Sequence, residues 1–161
     1  MLRVRWLGRV DYQEARDLQQ RLFESSQDDH LLLMEHQHVF TGGPNTDLSN
    51  LLIDPSTVGA TYESTNRGGD ITYHGPGQVT GYPVLSLPGR RGGGLAETRD
   101  YVHQVEQVLI DALNDLGLEN CGRMTRYPGV WVAPTSKRPR KVAAIGVRLS
   151  RGRTMTGLWW R

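Results

Sequence analysis

Alternating and continuous apolar runs predict several β-strands in this chain. Residues 2–7 alternate between apolar and charged positions, which predicts a strand with one buried face formed by Leu2, Val4 and Trp6. Residues 30–40 form a longer apolar run that a Thr-Gly-Gly-Pro sequence stops, which predicts one buried strand. Two β-branched runs, residues 129–133 and 142–149, are separated by a basic link that contains proline, and this pattern predicts a hairpin.

Two segments have apolar residues at helical spacing. Residues 13–26 follow Asp11, a suitable N-cap, and predict an amphipathic helix. Residues 97–116 precede Gly117, a suitable stop, and predict a core-packing helix of about five turns. The apolar stripe of this second helix comprises Tyr101, Val102, Val105, Val108, Leu109, Ala112, Leu113 and Leu116. Helices combined with mostly hairpin-linked strands indicate an α+β fold.

Two polar or glycine-rich stretches are expected to be loops. Residues 44–66 predict an irregular loop with one helical turn at residues 51–53. Residues 89–94 have the sequence GRRGGG, which is typical of a mobile surface loop. No repeat or shift in composition marks a boundary, so we expect one domain over residues 1–161.

The composition is that of an ordinary globular protein. Of the 161 residues, 37% are hydrophobic and 22% are charged, which argues against a disordered chain or a coiled coil. The single cysteine excludes an intrachain disulfide, and no apolar leader or membrane-length segment is present, so we expect a soluble cytoplasmic protein. The net charge is +2 and the arginines are scattered, which does not favour nucleic-acid binding.

The stretch from Arg67 to Pro83 is the most unusual part of the sequence. It holds five glycines in seventeen residues, and glycine allows a backbone to approach a ligand closely. A cluster of turns would also be rich in glycine, but the interspersed polar residues favour a strand whose ends are fixed around a ligand. These polar residues are Arg67, Asp70, Thr72, His74 and Gln78. No Lys-Ser or Lys-Thr follows, so the stretch is not a phosphate-binding loop.

The histidines do not form a recognisable metal motif. His36 and His38 lie on one side of the predicted strand, with Glu35 beside them. A metal site needs three or four ligands, and no further partner is identifiable, so polar residues at a strand end are the favoured interpretation. For His74, positioning of a substrate is favoured over proton transfer.

Lys141 and Cys121 are the candidates for nucleophilic chemistry. Lys141 opens an apolar run, a position that suits either a functional lysine or a charge protecting a sheet edge. An ammonium group beside a thiol would favour the thiolate. Cys121 is the only thiol, but nothing in the sequence places it near Lys141, so a small apolar residue is the favoured interpretation of Cys121.

Several collinear segments resemble the octanoyltransferases of lipoate biosynthesis. The similar segments are EHQHVFTGG (35–43), SNLLIDP (49–55), RGGDITYHGPGQ (67–78), GYP (81–83), GVWV (129–132) and KVAAIGV (141–147). The similarity extends from about Val4 to Gly157, and the central segment is its most specific part.

This resemblance implies the α+β fold of biotin and lipoate protein ligase catalytic domains, a mixed sheet packed against helices. It implies transfer of an octanoyl group from acyl carrier protein to a lysine of a lipoyl domain, in 2-oxoacid dehydrogenase and glycine cleavage complexes. The implied route is a cysteine thioester, without ATP, metal or cofactor. Neither a nucleic acid nor a membrane is an implied partner.

The resemblance also implies site residues. Lys141 matches the family lysine that lowers the pKa of the nucleophilic cysteine. The implied substrate-binding residues are Arg67, Gly68, Gly69, Asp70, Ile71, Thr72, Tyr73, His74, Ala144, Ile145, Gly146, Gly157, Leu158 and Trp159. We expect Lys141 and residues 67–78, including His74, to converge on one hollow that accepts a fatty acyl thioester.

The sequence departs from the family pattern in two ways. Thr156 stands where the family has a histidine before the glycine that matches Gly157. The family nucleophile, in a Pro-Cys-Gly context, follows this region, whereas Cys121 precedes Lys141. We therefore expect a chain truncated at its C-terminus, by frameshift, early termination or fragmentation, that binds an acyl chain with little or no turnover.

Alternative functions stay open at this point. An ATP-dependent lipoate or biotin ligase is less favoured, because Lys141 is the only lysine in the similar segments and phosphate chemistry favours additional basic positions. A non-catalytic remnant that binds acyl carrier protein or a lipoyl domain is a further possibility. A nucleic-acid-binding module is the least favoured.

Overall fold

Two helices and two sheets make up the part of the chain that the computed structural model describes. That part is residues 1–87 and 95–160, with side chains except at 95–97, 156, 159 and 160. The glycine-rich loop predicted at residues 89–94 lies outside the described residues. The helices are α1 (Tyr12–Ser25) and α2 (Leu95–Asp115). The strands are β1 (Leu2–Arg9), β2 (Asp29–Glu35), β3 (Val39–Gly42), β4 (Thr61–Ser64), β5 (Thr72–His74), β6 (Val79–Val84), β7 (Cys121–Arg123), β8 (Val130–Val132), β9 (Arg140–Ser150) and β10 (Arg153–Trp160).

The larger sheet has seven strands in the order β1-β2-β6-β10-β9-β8-β7. Its β1 and β2 are parallel, and the remaining neighbours are antiparallel. The smaller sheet has three strands in the order β4-β3-β5, with one parallel and one antiparallel pair. These mixed sheets with helices confirm the predicted α+β class.

Helix α1 packs on one face of the larger sheet. It begins where the side chain of Asp11 accepts hydrogen bonds from the backbone N–H groups of Gln13 and Glu14. Ala15 is fully buried against the core residues Leu32, Met34 and Tyr82, with Leu7, Val10, Leu18 and Leu22 around them. This burial holds α1 over the central strands β6 and β10.

The C-terminal end of α1 is closed by Arg153 from β10. Its guanidinium donates to the carbonyls of Leu22, Phe23, Ser26 and Asp28. A helix leaves its last carbonyls without partners inside the helix, and here one cation satisfies several of them.

Helix α2 packs on the opposite face of the larger sheet. Its apolar residues join Val130, Ala143 and Leu158 in a second core, which we call the α2 core. Leu158 pairs with Gly81 of β6, so both residues lie on the α2 face of the sheet. The next residue of β6, Tyr82, points to the opposite face, because adjacent residues of a strand alternate, and it packs on α1. The two helices therefore lie on opposite sides of this sheet. Within residues 1–87 and 95–160, no helix combines the length and apolar character needed to cross a bilayer.

Two predictions about buried positions are wrong. Leu2, Val4 and Trp6 are more than half exposed, because β1 is an edge strand, α1 packs over β6 and β10, and α2 packs towards the other edge over β7, β8 and β9. On α2, Val108 and Leu116 are 67% and 79% exposed. The apolar stripe read from the sequence is thus wider than the face that meets the sheet.

Two predictions about element boundaries are also wrong. Residues 30–40 do not form one strand, because β2 belongs to the larger sheet and β3 to the smaller one. In place of a helical turn at 51–53, single turns of 3₁₀-helix occur at Leu48–Asn50 and Pro55–Val58, each capped by an aspartate, and β4 follows. The predicted hairpin between the two β-branched runs is confirmed by the pairing of β8 with β9.

Candidate functional site

The glycine-rich stretch is a loop and a short strand rather than one strand. Residues 67–71 form the loop, β5 follows in the smaller sheet, and β6 lies in the larger sheet. The prediction of a single strand with both ends fixed around a ligand is therefore wrong. The chain crosses between the two sheets at residues 75–78.

Arg67 and Asp70 hold the loop in place. The Arg67 guanidinium donates to the Thr41 carbonyl and hydroxyl at 2.8 and 2.9 Å and to the carbonyls of Gly68 and Asp70 at 3.0 and 2.9 Å. The Asp70 carboxylate accepts from the Ile71 backbone N–H at 2.8 Å and from the Asn50 side chain. These bonds fix the loop against β3.

A β-bulge directs Lys141 to the face of the larger sheet that carries α1. Val130 pairs with Ala143, but the next residue, Trp131, pairs with Lys141, so the register shifts by one residue. Val130 and Ala143 point into the α2 core, so Trp131 and Lys141 point to the other face. Without the bulge, Lys141 and Ala143 would share a face.

Lys141 is held at the entrance of an open groove, which we call the outer groove. Its Nζ donates to the Pro128 carbonyl at 3.0 Å and lies 4.9 Å from the centroid of the Trp131 ring. The outer groove has a volume of about 440 Å³ and is lined by residues 67–73, Pro128, Lys141, Ala144 and Ile145. Desolvation lowers the pKa of Lys141, and the negative charge of Glu106 opposes that shift.

His74 lies in a neighbouring space, which we call the inner cavity. This cavity has a volume of about 280 Å³. Its lining includes Tyr12, Arg16, Arg67, His74, Tyr82, Arg148, Met155 and Gly157. Residues 67–73 and Lys141 line one groove, as expected, whereas His74 lines the neighbouring cavity and not the outer groove. Arg67 lines both spaces and lies between them.

His74 is buried among aromatic and polar groups. Its Nδ1 lies 3.1 Å from the Gln78 side-chain oxygen, and its ring stacks on Tyr12 with the centroids 6.0 Å apart. Burial lowers the pKa of His74 to about 3, and the electrostatic interactions with the neighbouring His36 and with the positive charge of Arg67 act in the same direction. His74 is therefore neutral near pH 7.

His36 forms a hydrogen-bonded pair with Tyr82 behind His74. Its Nδ1–H donates to the Val10 carbonyl at 2.8 Å, so its Nε2 accepts the Tyr82 hydroxyl proton, also at 2.8 Å. Burial lowers the pKa of His36 and raises that of Tyr82. His38, by contrast, is exposed and lies 2.5 Å from the Tyr73 hydroxyl.

Among the described residues, no three His, Cys, Asp or Glu side chains come close enough to hold a metal ion. His36 and His38 lie in the connection between β2 and β3, with the ring of His36 turned to Tyr82 and that of His38 to Tyr73. This placement fits the favoured interpretation of His36 and His38 as polar residues at a strand end.

The remaining implied substrate residues have different surroundings. Gly146 pairs with Gly157 in the centre of the larger sheet, and Gly157 lines the inner cavity. Leu158 is buried in the α2 core, so any substrate contact it makes would be through its backbone. The Trp159 side chain lies outside the described side chains.

Cys121 lies on the opposite face of the larger sheet from Lys141. It pairs with Val132, two residues from Val130, and its side chain packs against the α2 core. The Sγ lies 3.3 Å from the Leu118 carbonyl, and desolvation raises the pKa of the thiol. The interpretation of Cys121 as a small, partly buried apolar residue fits this placement.

Sequence reasoning missed three groups at these sites. Trp131 and Pro128 contact Lys141, and Tyr12 stacks on His74. The first two lie in or beside a segment that matched the family without a role assigned, and Tyr12 follows the N-cap of α1. Only the pairing of β8 with β9 and the packing of α1 bring them to the site.

The model of the lipoyl protein ligase A/B catalytic domain family matches residues 11–159. Three curated relatives bear the name octanoyltransferase. The chain is 45% identical to the relative from Solibacter usitatus, 43% to that from Mycolicibacterium gilvum and 38% to that from Flavobacterium johnsoniae. These alignments cover 96, 97 and 94% of the chain, and 69, 63 and 71% of the respective relatives.

The chain belongs to the octanoyltransferase family. By family it is an acyltransferase of lipoate biosynthesis, which confirms the resemblance predicted from the sequence. It spans about two thirds of the length of these three octanoyltransferases.

Solved structures with the same fold are lipoate protein ligases. A putative lipoate protein ligase from T. acidophilum has a TM-score of 0.75 at 13% identity, over 98% of this chain and 67% of that chain. A lipoate-protein ligase A bound with ATP has a TM-score of 0.70 at 14% identity, over 98% of this chain and 65% of that chain. At such identities the likeness concerns the fold alone, and it agrees with the ligase-type fold expected of an octanoyltransferase.

Proposed function

We propose that residues 1–161 belong to the single catalytic domain of an octanoyltransferase, incomplete at its C-terminus, of a family that takes its octanoyl group from an acyl carrier protein. The acceptor is a lysine of a lipoyl domain, as found in 2-oxoacid dehydrogenase and glycine cleavage complexes. A T. acidophilum lipoate protein ligase similar in fold was solved with its E2 lipoyl domain, which supports an acceptor of this class. The reaction uses no ATP, metal or cofactor and takes place in the cytoplasm.

The observation that supports this proposal is the placement of Lys141 in the outer groove. The bulge turns its ammonium towards the loop 67–71, and Ala144 and Ile145 supply apolar walls. A groove of about 440 Å³ with apolar walls and the Lys141 ammonium suits an acyl chain that ends in a thioester. There, the ammonium stabilises a thiolate, or the oxyanion that forms when the thioester carbonyl is attacked.

A cysteine thioester is the step that this polypeptide is least equipped to perform. Its single thiol, Cys121, lies on the far face of the sheet from Lys141, and its pKa is raised rather than lowered. A protonated thiol is a poor nucleophile. We infer that the 161-residue polypeptide binds the acyl group through residues 67–74, 144–146 and 157–159, with little or no turnover.

Binding tests the acyl site directly. We expect the polypeptide to bind octanoylated acyl carrier protein more tightly than the same carrier without the acyl group, as measured by calorimetry. Ala144→Trp fills the outer groove and should abolish this preference. The matched control is Ala112→Trp, the same change at an exposed position of α2, which should preserve it. Equal binding of the two carriers by the parent polypeptide would contradict the proposal.

A turnover assay tests the inference that the polypeptide transfers little or no octanoyl group. The polypeptide is mixed with octanoylated carrier and a lipoyl domain, and the lipoyl domain is weighed by mass spectrometry. We expect no octanoylated product. Product that disappears in Cys121→Ser would show that Cys121 is the nucleophile, and product that requires ATP and Mg²⁺ would indicate a ligase instead.

A further inference from the structure

One peptide group is clamped between a buried carboxylate and the ammonium of Lys141. The group joins Pro128 to Gly129. Its carbonyl accepts a hydrogen bond from Lys141 Nζ at 3.0 Å. Its N–H donates to Glu106 Oε1 at 2.8 Å. Glu106 and Lys141 therefore act on opposite ends of the same dipole.

The carboxylate side of this arrangement is rigid. Glu106 is only 3% exposed, and its second oxygen accepts from Arg123 Nε at 3.0 Å. Arg123 is fixed in turn by the His103 carbonyl and the Gln107 side chain, both 2.9 Å away. A buried carboxylate requires such an opposite charge and a full set of hydrogen bonds, and Glu106 has both.

The peptide itself has little freedom to turn. Gly129 has a φ of +120°, a conformation that favours glycine. A Cβ at this position would lie 2.4 Å from the Ala143 carbonyl oxygen, so the backbone passes directly against β9. The Pro128 carbonyl is thereby held towards Lys141.

A peptide whose N–H is bonded to a carboxylate is a stronger acceptor at its carbonyl, because hydrogen bonds in a chain polarise one another. We propose that Glu106 is a positioning residue that fixes and supports the Lys141 ammonium through the Pro128–Gly129 peptide. Its relevance to acyl transfer depends on the proposed function, in which Lys141 acts at the thioester. The hydrogen-bonded link from Glu106 through the Pro128–Gly129 peptide to Lys141 does not depend on that function.

Other charged and titratable groups lie near Lys141. Arg67, Asp70 and Tyr73 line the outer groove from the loop and β5, and Arg140 precedes Lys141 in β9. Glu106 is the group that reaches Lys141 from α2, and its charge raises the pKa of Lys141 against the effect of desolvation. A test must therefore change Glu106 and leave the outer groove intact.

The first test follows the titration of Lys141. The chain has only two lysines, so reductive methylation with ¹³C-formaldehyde labels Lys137, Lys141 and the N-terminus, and Lys137→Met and Lys141→Met assign the signals. In Glu106→Gln the Lys141 signal should titrate at lower pH than in the parent, while Lys137 is unchanged. The control is Asp111→Asn, which removes a charge from the same helix where the carboxylate contacts Gln107 instead. A Lys141 midpoint that shifts no more in Glu106→Gln than in this control would overturn the proposal.

The second test leaves Glu106 in place, so it remains decisive if Glu106→Gln fails to fold. The Gly129 amide nitrogen, followed by carbon-detected NMR, should titrate with the Lys141 midpoint in the parent chain and lose this response in Lys141→Met. Lys137→Met should retain it. A Gly129 nitrogen chemical shift that does not change as Lys141 titrates would also overturn the proposal. Neither test requires acyl binding, so failure of the proposed function would appear only in the carrier-binding assay.

Discussion

Acidification should destabilise this protein through His74. His74 is 3% exposed, stacks on Tyr12 and meets the ring of the buried His36 edge-on, so the folded state disfavours its charged form. Its pKa is about 3 in the folded chain, against an ordinary value of 6.5. Because the folded pKa is depressed, the stability is fully present above pH 6.5, and it is lost progressively as the pH falls towards 3.

The size of the effect at pH 5 follows from this difference. At pH 5 the unfolded chain has bound a proton at this histidine and the folded chain has not. The 1.5 pH units between 6.5 and 5 correspond to about 2 kcal/mol of lost unfolding free energy, at about 1.36 kcal/mol per unit. His36, whose pKa is also lowered by burial, contributes in the same direction.

Urea unfolding at pH 7 and pH 5, followed by tryptophan fluorescence, measures this loss. His74→Gln has no proton to gain, so its unfolding free energy should fall by about 2 kcal/mol less than that of the parent over this range. The control is His103→Gln, a change at an exposed histidine of α2. Between pH 7 and pH 5 its unfolding free energy should fall by the same amount as that of the parent. If His74→Gln loses as much stability as the parent, His74 is protonated in the folded chain and the reasoning is refuted.

Three further predictions concern stability measured by urea unfolding at pH 7. Gly129→Ala should lower the free energy of unfolding by several kcal/mol more than Gly117→Ala does. A Cβ at Gly129 would overlap a backbone oxygen, whereas a Cβ at Gly117 would meet only open space and lower that free energy by about 1–2 kcal/mol. Leu32→Ala should cost about 2–5 kcal/mol because this side chain is fully buried, and Leu52→Ala, at an exposed position, less than about 0.5 kcal/mol. Arg153→Gln should cost about 1.5–3 kcal/mol by leaving the α1 carbonyls without their cation, and an unchanged midpoint would contradict that role.

The elements that the sequence predicted best are those fixed by local signals. Helix α1 begins and ends within one residue of its prediction because Asp11 is a local N-cap. Gly117, with a φ of +84°, follows α2 as expected. The strand pattern failed where exposure depends on distant parts of the chain, as at the edge strand β1.

The two spaces at the site depend on pairings that no local pattern contains. The loop 67–71 meets Lys141 only because β9 lies within the larger sheet, and β5 turns His74 towards α1 instead. The sequence also contains one signal that the prediction of the site did not use. Glu106 interrupts the apolar stripe of α2, four residues after Val102 and three before Leu109, and this spacing places a carboxylate on the buried face, where it requires a partner.

The β-bulge, and not the strand order, bears on the two explanations of Lys141. The pairing of β9 with β10 extends from Ser150 to Ala143 and stops short of Lys141, so the strand order alone does not exclude an edge-protecting charge there. In a regular strand Lys141 would share a face with Ala143 and enter the α2 core, where burying an ammonium without a counter-charge costs several kcal/mol. The bulge removes that cost by turning the lysine to the outer groove, where its ammonium donates to the Pro128 carbonyl and lies over the Trp131 ring. An edge-protecting charge needs no such device, so the bulge favours a lysine placed for what binds in that groove.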